Sequence, residues 1–258
     1  MFQDLVQEHV LIPVAGSDSP LDAYLARPAA VGTYPVVLVG MELFALTDHI
    51  QRVTDQVARL GFVALAPNFY HRAEPHANLP YSDEGRTRGL ALLHQLSRAD
   101  VLADIQAALA FLHARPEVHG RTGFVGFSVG GHIAYLAATQ FNIAATACFY
   151  GGWLTTTDIP LSQPEPTVQL TPGIAAHGGR LLYFAGAQDP HATAAQREQL
   201  AAALQAAHVR HELVVYAAAT HGFFCEARPT TFHEESRNDA WQRTARLLTE
   251  ELCEQPLP

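Results

Sequence analysis

The chain has 258 residues, of which 48% are hydrophobic and 16% charged, a composition typical of a globular protein with a substantial core. Its formal net charge of −9 argues against a nucleic-acid partner, because binding to phosphate backbones depends on clustered Lys and Arg. No apolar run approaches the roughly 20 residues of a membrane-spanning helix, and the acidic start of the chain lacks the features of a signal peptide, so we expect no membrane partner.

The chain opens with a predicted hairpin, followed by a strand, a helix and a second strand. Residues 8–14 and 21–25 alternate polar and apolar side chains on either side of a turn, which is typical of an antiparallel pair. Residues 34–40 and 62–67 are continuously apolar, as expected for strands buried on both faces. Residues 48–60 lie between them and have helical spacing of their apolar side chains.

The middle of the chain predicts a loop, two helices and a second strand-to-helix unit. Residues 71–84 are rich in Pro, His and Asn and indicate a loop over the sheet edge. Residues 87–95 and 98–115 predict helices. Residues 122–127 predict a strand that ends at a Gly-rich turn, and an Ala-rich helical segment covers residues 132–138.

The last part of the chain continues this alternation after an irregular region at residues 153–178, which is rich in Thr and Pro. Apolar patterning predicts three more strands and two more helices. In chain order they are a strand at residues 143–150, a strand at 180–185, a helix at 192–207, a strand at 211–216 and a helix at 238–253.

Strands that alternate with helices through most of a chain predict an α/β fold, with a mainly parallel central sheet and helices on both faces. The sequence contains no internal repeat, low-complexity tract or convincing linker. We therefore expect a single domain over residues 1–258.

The three cysteines are Cys148, Cys225 and Cys253. Their odd number and wide spacing indicate free thiols in a reducing compartment rather than a disulfide framework. This predicts a cytoplasmic protein.

The most informative motif is Gly126-Phe127-Ser128-Val129-Gly130, which lies between a predicted strand and a predicted helix. It fits Gly-x-Ser-x-Gly, the sharp elbow that presents a nucleophilic serine. A side chain at Gly126 or Gly130 would clash where the two backbones meet. The hydroxyl of Ser128 would lie at a helix N-terminus, where free amides favour negative charge.

A serine nucleophile needs a base and an acid, and ligands of parallel sheets bind beyond the carboxyl ends of the strands. Asp189 and His221 follow two predicted strands, and the chain order Ser128, Asp189, His221 is the one that α/β-hydrolases use. Asp158 is an alternative acid, and His177 and His191 are histidines that could also be surface or capping residues. Asp189 itself could instead cap the following helix.

An oxyanion hole needs two converging amide donors. One should be the amide of Val129, directly after the nucleophile. The second should come from the loop after residues 34–40, at Leu43 or a neighbour.

Taken together, these motifs resemble the dienelactone hydrolase family of the α/β-hydrolases over nearly the whole length of the chain. The resemblance implies the α/β-hydrolase fold. It also implies that Glu42 lies near the nucleophile and that the residue after it supplies an oxyanion amide. The blocks that carry the resemblance are residues 40–44, 61–70, 126–131 and 150–152, together with Asp189 and residues 221–223.

The chain departs from the namesake enzymes of that family at two points. They carry a cysteine nucleophile where Ser128 stands. This difference leaves the role of Glu42 open: it could act in catalysis, orient its loop, or be a polar residue at the site mouth. They also hold a substrate carboxylate with arginines, one of them at the position of Cys225. The possible replacements here are Arg72, Arg86, Arg88 and Arg228.

The sequence therefore predicts a serine hydrolase that cleaves small-molecule carboxylic esters or lactones through an acyl-enzyme. We expect no cofactor and no metal, because the chain has neither a nucleotide-binding loop nor paired zinc-ligand spacing. The alternatives are a non-catalytic binding or scaffold member of the fold, a dienelactone hydrolase proper with a carboxylate-bearing lactone, and thiol chemistry at Cys225. The sequence leaves open a monomer or a homodimer. Residues expected near the site or lining an acyl pocket are Glu42, His71, His76, Tyr81, Phe127, Trp153, Phe223 and Phe224.

Overall fold

The computed structural model of the protein describes residues 4–253, which contain one eight-stranded sheet. The strand order is β1-β2-β4-β3-β5-β6-β7-β8. The strands are β1 Leu5–Ile12, β2 Leu21–Pro28, β3 Tyr34–Gly40, β4 Val63–Pro67, β5 Val118–Phe127, β6 Ala145–Phe149, β7 Arg180–Gly186 and β8 Arg210–Tyr216.

The pairing of the strands confirms the predicted mainly parallel sheet. Strands β1 and β2 form the expected antiparallel hairpin, and β2 also pairs antiparallel with β4. The other five pairs, from β4–β3 to β7–β8, are parallel. The carboxyl ends of six strands therefore meet at one edge of the sheet, where the loops that carry the predicted site residues begin.

Seven α-helices connect or flank the strands in the described part of the chain. They are α1 Asp48–Arg59, α2 Asp83–Leu93, α3 Arg98–His113, α4 Val129–Gln140, α5 Pro172–Ala176, α6 Ala194–Ala206 and α7 Glu234–Leu252.

Two helices begin four residues earlier than the apolar pattern predicts, because capping side chains set their first turns. Helix α2 begins at Asp83 rather than at 87, with the Ser82 hydroxyl accepting from the Gly85 amide. Helix α7 begins at Glu234 rather than at 238, with the His233 ring accepting from the Ser236 amide. The short helix α5 lies in the region predicted to be irregular, and its five residues are too few to show a helical period.

Two glycines of β5 show that α4 and α7 pack on opposite faces of the sheet. A Cβ built on Gly123 would meet side chains of α7, at Leu248 and Leu252, whereas one built on Gly126 would meet the first turn of α4 at Gly130. Side chains three residues apart on a strand point to opposite faces. The sheet is therefore covered on both sides at its centre, as the sequence predicts.

None of the helices within residues 4–253 has the length and apolar character that a bilayer crossing requires.

Candidate active site

Ser128 lies between β5 and α4 in a strained backbone conformation, with φ 55° and ψ −114°. The two neighbouring glycines make this turn possible. A Cβ on Gly126 would lie 2.0 Å from the carbonyl oxygen of Gly130, and one on Gly130 would lie 2.3 Å from the carbonyl carbon of Gly40. The elbow therefore has the geometry that its sequence predicts, with the serine at the start of a helix.

The three residues predicted to form a triad are brought into one hydrogen-bonded chain. The Ser128 Oγ lies 2.9 Å from Nε2 of His221, and Nδ1 of His221 lies 2.9 Å from Oδ2 of Asp189. Each residue follows the carboxyl end of a different parallel strand, β5, β7 or β8. Ser128 and Asp189 are buried, while His221 is partly exposed toward solvent.

Asp189 is held in its charged form by its surroundings. Burial alone would raise the pKa of its carboxyl, but the hydrogen bond and charge of His221 and the hydrogen bond from the His191 amide keep it below its ordinary value. The His191 amide donates to Oδ1 at 2.7 Å. Asp189 does not cap the following helix, since Thr193 does so, accepting from the Gln196 amide at 3.4 Å.

The other candidate acid and base lie elsewhere. Asp158 is exposed in the region between β6 and β7, and His177 is an exposed residue at the end of α5. Neither contributes to the cleft that contains Ser128.

The two residues predicted to supply oxyanion amides line the same cleft as Ser128. Val129 is the first residue of α4, and Leu43 lies in the loop that follows β3. Both line the cleft, and within residues 4–253 neither amide donates a hydrogen bond to the protein. Free donors at these two positions are what an oxyanion hole requires.

The cleft itself encloses about 270 Å³ beside Ser128 and His221. Among the residues predicted near the site, Glu42 and Trp153 line it. Phe127 and Phe223 do not, because both are fully buried beneath it: Phe127 stacks on Phe149 with ring centroids 4.6 Å apart, and Phe223 lies 5.3 Å from Tyr150.

The expectation that four further side chains line an acyl pocket is wrong. His71 is buried against Asp104, with 3.1 Å between Nε2 and Oδ1, and Phe224 is a core residue. His76 is exposed and faces Asp22. Tyr81 donates its hydroxyl to Glu42 and does not line the cleft. Sequence patterning alone cannot tell an aromatic side chain beneath a site from one that lines it.

Glu42 is buried at the cleft and held by two phenols. The Tyr81 hydroxyl donates to Oε2 at 3.1 Å, and the Tyr150 hydroxyl donates to Oε1 at 3.3 Å. Burial and the Glu42 charge raise the pKa of both phenols, so they remain donors. No hydrogen bond joins Glu42 to Ser128 among the described residues, which favours a role in holding its own loop.

Of the four arginines considered for a substrate carboxylate, two line the cleft. Arg86 and Arg228 do so, and neither forms an ion pair with another described residue. Arg72 is instead paired with Asp104 at 2.7 Å, and Arg88 is paired with Glu74. The guanidinium of Arg228 packs against Gly222, the residue after His221, where a Cβ would lie 2.3 Å from Nη1.

His191 is a site residue that the sequence did not distinguish from a surface histidine. It lines the cleft, and its ring centroid lies 4.9 Å from that of His221 and 5.8 Å from that of Trp153. Burial and the neighbouring His221 lower its pKa below the ordinary value, so the ring is neutral near pH 7. The feature of the sequence that could have identified His191 as a site residue is its position two residues after Asp189.

Cys225 lies behind the cleft and does not line it. Burial, with the charge of Glu42, raises the pKa of its thiol to about 12, which leaves almost no thiolate near neutral pH. This argues against Cys225 as a nucleophile. Its Sγ, a carboxylate oxygen of Glu42 and a ring nitrogen of His49 lie within 4.8 Å of one another, a grouping of metal-ligand atoms that the sequence did not reveal.

Comparisons with known proteins agree on one family for this chain. A sequence model described as the dienelactone hydrolase family matches residues 21–252. A protein of Synechocystis sp. named "Putative carboxymethylenebutenolidase" is 38% identical over 246 residues, which cover 94% of this chain and 96% of that protein. A protein of Bradyrhizobium sp. named "Probable 2-oxo-3-(5-oxofuran-2-ylidene)propanoate lactonase" is 29% identical over 235 residues, 90% of each chain.

Solved structures show the same relationship. The crystal structure titled "Putative Dienelactone Hydrolase" from Klebsiella pneumoniae is similar with a TM-score of 0.83 and 28% identity, over 96% of this chain and 99% of that one.

Proposed function

Because the chain belongs to the dienelactone hydrolase family and is a carboxylic ester hydrolase, we propose a mechanism for it. The protein cleaves small-molecule esters or lactones through an acyl-enzyme on Ser128. The observation that carries the proposal is the continuous hydrogen-bonded chain from the Ser128 hydroxyl through His221 to Asp189. A buried, charged carboxyl at its end suits the stabilisation of an imidazolium.

The proposed reaction has two halves. In the first, His221 takes the Ser128 proton as the hydroxyl oxygen attacks the ester carbonyl, and the resulting oxyanion accepts from the amides of Val129 and Leu43. His221 then gives the proton to the leaving alkoxide, and the acyl group stays on Ser128. In the second half, His221 activates a water that attacks the acyl-enzyme and releases the acid. Each oxyanion donor typically contributes about 10²- to 10³-fold in turnover.

The test uses a fluorophosphonate probe together with a panel of aryl esters of graded acyl length and one lactone. We expect stoichiometric labelling of Ser128 and hydrolysis of some panel members. Ser128→Ala should abolish labelling and lower kcat/KM by about 10⁴-fold or more. Ser19→Ala, in the turn between β1 and β2, is the matched control and should retain both.

Two results would contradict the proposal. Near-normal hydrolysis by folded Ser128→Ala would place the chemistry on another residue. Native protein that neither takes the probe nor hydrolyses any panel member would favour the non-catalytic alternative.

Arg86 and Arg228 favour a narrower substrate class, an ester or lactone that carries a carboxylate. Arg86 projects from α2 and Arg228 from the loop after β8, so that two positive charges face the cleft from different elements. An arginine can bind a carboxylate through two parallel hydrogen bonds. We propose that these two side chains hold the carboxylate while the scissile carbonyl lies at Ser128.

The charge preference is tested with a matched pair of substrates, a lactone that bears a free carboxylate and the same lactone with that group as its amide. Arg86→Gln and Arg228→Gln should each lower kcat/KM for the acid by about 10- to 100-fold, the range for a lost hydrogen bond to a charged group. The amide should be affected far less. Arg88→Gln on the same helix, whose side chain pairs with Glu74, is the control and should affect neither. Equal losses on both substrates would reject the carboxylate site.

We also propose that residues 1–258 act as a single cytoplasmic domain. This is supported by the one continuous sheet and by the three cysteines, none of which is paired.

A further inference from the structure

Behind the wall of the cleft, three side chains from different loops converge on one point. Glu42 comes from the loop after β3, His49 from the first turn of α1 and Cys225 from the loop after β8. A carboxylate oxygen, a ring nitrogen and the Sγ atom lie within 4.8 Å of one another. All three side chains are buried, so their polar atoms face each other rather than bulk water.

His49 is the member of this group that the protein itself leaves unsatisfied. It is only 5% exposed, and its Nε2 atom is buried without a hydrogen-bond partner. Neither ring nitrogen bonds to any other described residue. The ring packs edge-to-face near Phe127 and Phe224, whose centroids lie 6.4 Å and 6.1 Å away. A buried polar atom without a partner costs free energy, and a bound ion is one group that would satisfy the His49 ring.

The three ligand types suit one class of ion. An imidazole nitrogen, a thiolate and a carboxylate together form a mixed set that zinc accepts, whereas magnesium and calcium take oxygen ligands. Tetrahedral coordination at ordinary zinc distances places ligand atoms roughly 3.3 to 3.8 Å apart, so from a separation of at most 4.8 Å the side chains would need to close in by about 1.5 Å at most.

Charge balance supports the same ion. The carboxylate of Glu42 and a thiolate at Cys225 carry two negative charges, and a divalent cation neutralises both, so that the buried complex has no net charge. The thiol proton of Cys225 passes to solvent when the sulfur binds the ion. Glu42 also lines the cleft, which gives the ion a path of entry and a position for a water as fourth ligand.

We propose that Glu42, His49 and Cys225 form a binding site for a thiophilic divalent cation, with Zn²⁺ as the natural probe. The ion draws the Glu42 carboxylate away from the hydroxyls of Tyr81 and Tyr150, which hold it at present.

The decisive experiment replaces zinc with Co²⁺, whose bond to a thiolate gives a near-ultraviolet charge-transfer band. We expect native protein to give this band, saturating at one equivalent, and Zn²⁺ to abolish it by competition. Cys225→Ser should lose the band, and Cys253→Ser should keep it, since that thiol is the exposed one. Ser128→Ala should also keep it, so the result does not depend on the proposed nucleophile.

His49→Gln and Cys225→Ala provide second variants, with circular dichroism to verify folding. The affinity for Zn²⁺, measured by competition with a chromophoric zinc chelator, should fall by more than about 100-fold in each variant, since even loss of a residue that only supports a metal ligand can cost roughly 10- to 100-fold. Folded native protein that gives no band overturns the proposal. So does a band that survives in Cys225→Ser and disappears in Cys253→Ser, because the metal would then bind at the surface.

Discussion

The Oδ2 atom of Asp189 lies 2.9 Å from Nδ1 of His221, although 32 residues and the whole of α6 and β8 separate the two along the chain. The parallel pairing of β7 and β8 explains this contact, because the loops after both strands begin at the same edge of the sheet. The contact also fixes which ring nitrogen faces Ser128.

The first prediction concerns that contact. Asp189→Asn should lower kcat/KM for an ester by about 10³- to 10⁴-fold, because a neutral amide neither fixes the required tautomer nor stabilises the imidazolium. Asp158→Asn, at the exposed alternative acid, should leave turnover unchanged. Steady-state kinetics on both variants, with circular dichroism to show folding, would make the comparison. Equal turnover in the two variants would contradict the assignment of the acid.

The convergence of Ser128, Asp189 and His221 could be predicted because each residue lies within five positions of the end of a strong strand pattern. In a parallel sheet, that sequence position fixes the place in space. The elbow added a second constraint, since Gly126 and Gly130 can be read as residues that permit close backbone contact.

Other parts of the site could not be predicted in the same way. His191 and Glu42 carried partial signals, the one from its position two residues after Asp189 and the other from the family resemblance. Arg86, His49 and Cys225 owe their positions to loops and helices packed around the site, and nothing in their local sequence sets those directions. The aromatic residues show the same limit: Phe127 and Phe223 adjoin site residues in sequence, yet their backbones turn them into the core.

The second prediction tests the close contact at the elbow. Gly126→Ala should destabilise the protein by about 3 kcal/mol or more, because the new methyl would meet backbone, which cannot move aside as a side chain can. Gly16→Ala is the control, since it has positive φ but no atom within 4 Å, and should cost only about 1 kcal/mol. Urea unfolding measures both. Equal losses would show that the Gly126 methyl is accommodated.

The third prediction concerns the thiols. Iodoacetamide at neutral pH should alkylate Cys253, which is exposed, and leave Cys148 and Cys225 unmodified, because burial raises the pKa of both buried thiols. Hydrolysis should be unchanged. Peptide mapping by mass spectrometry, with activity followed in the same sample, tests this. Inactivation that parallels alkylation of Cys225 would revive thiol chemistry.

The fourth prediction concerns Glu251, which anchors the end of α7 to the sheet. Its two carboxylate oxygens accept from Arg210 of β8 at 2.8 Å and 3.0 Å. Burial would raise the pKa of this carboxyl, but the hydrogen bonds and charge of Arg210, with the charges of Arg121 and Arg180, hold it below its ordinary value. A group whose pKa is depressed by folding stabilises the native state above its unfolded pKa, and that contribution is lost as pH falls through the folded pKa.

Glu251→Gln should therefore reduce the free energy of unfolding at pH 7 by about 1.5 to 3 kcal/mol, the range for a hydrogen bond to a charged group. The difference from native protein should shrink as pH falls below about 4.3, because the native carboxyl also becomes protonated. Glu250→Gln is the matched control: its side chain pairs with Arg180 at 2.7 Å but is far more exposed, so it should cost at most about 1 kcal/mol. Urea unfolding of the three proteins from pH 7 to pH 3 measures both effects. A Glu251→Gln loss that stays constant across this range would show that the carboxylate charge does not stabilise the fold.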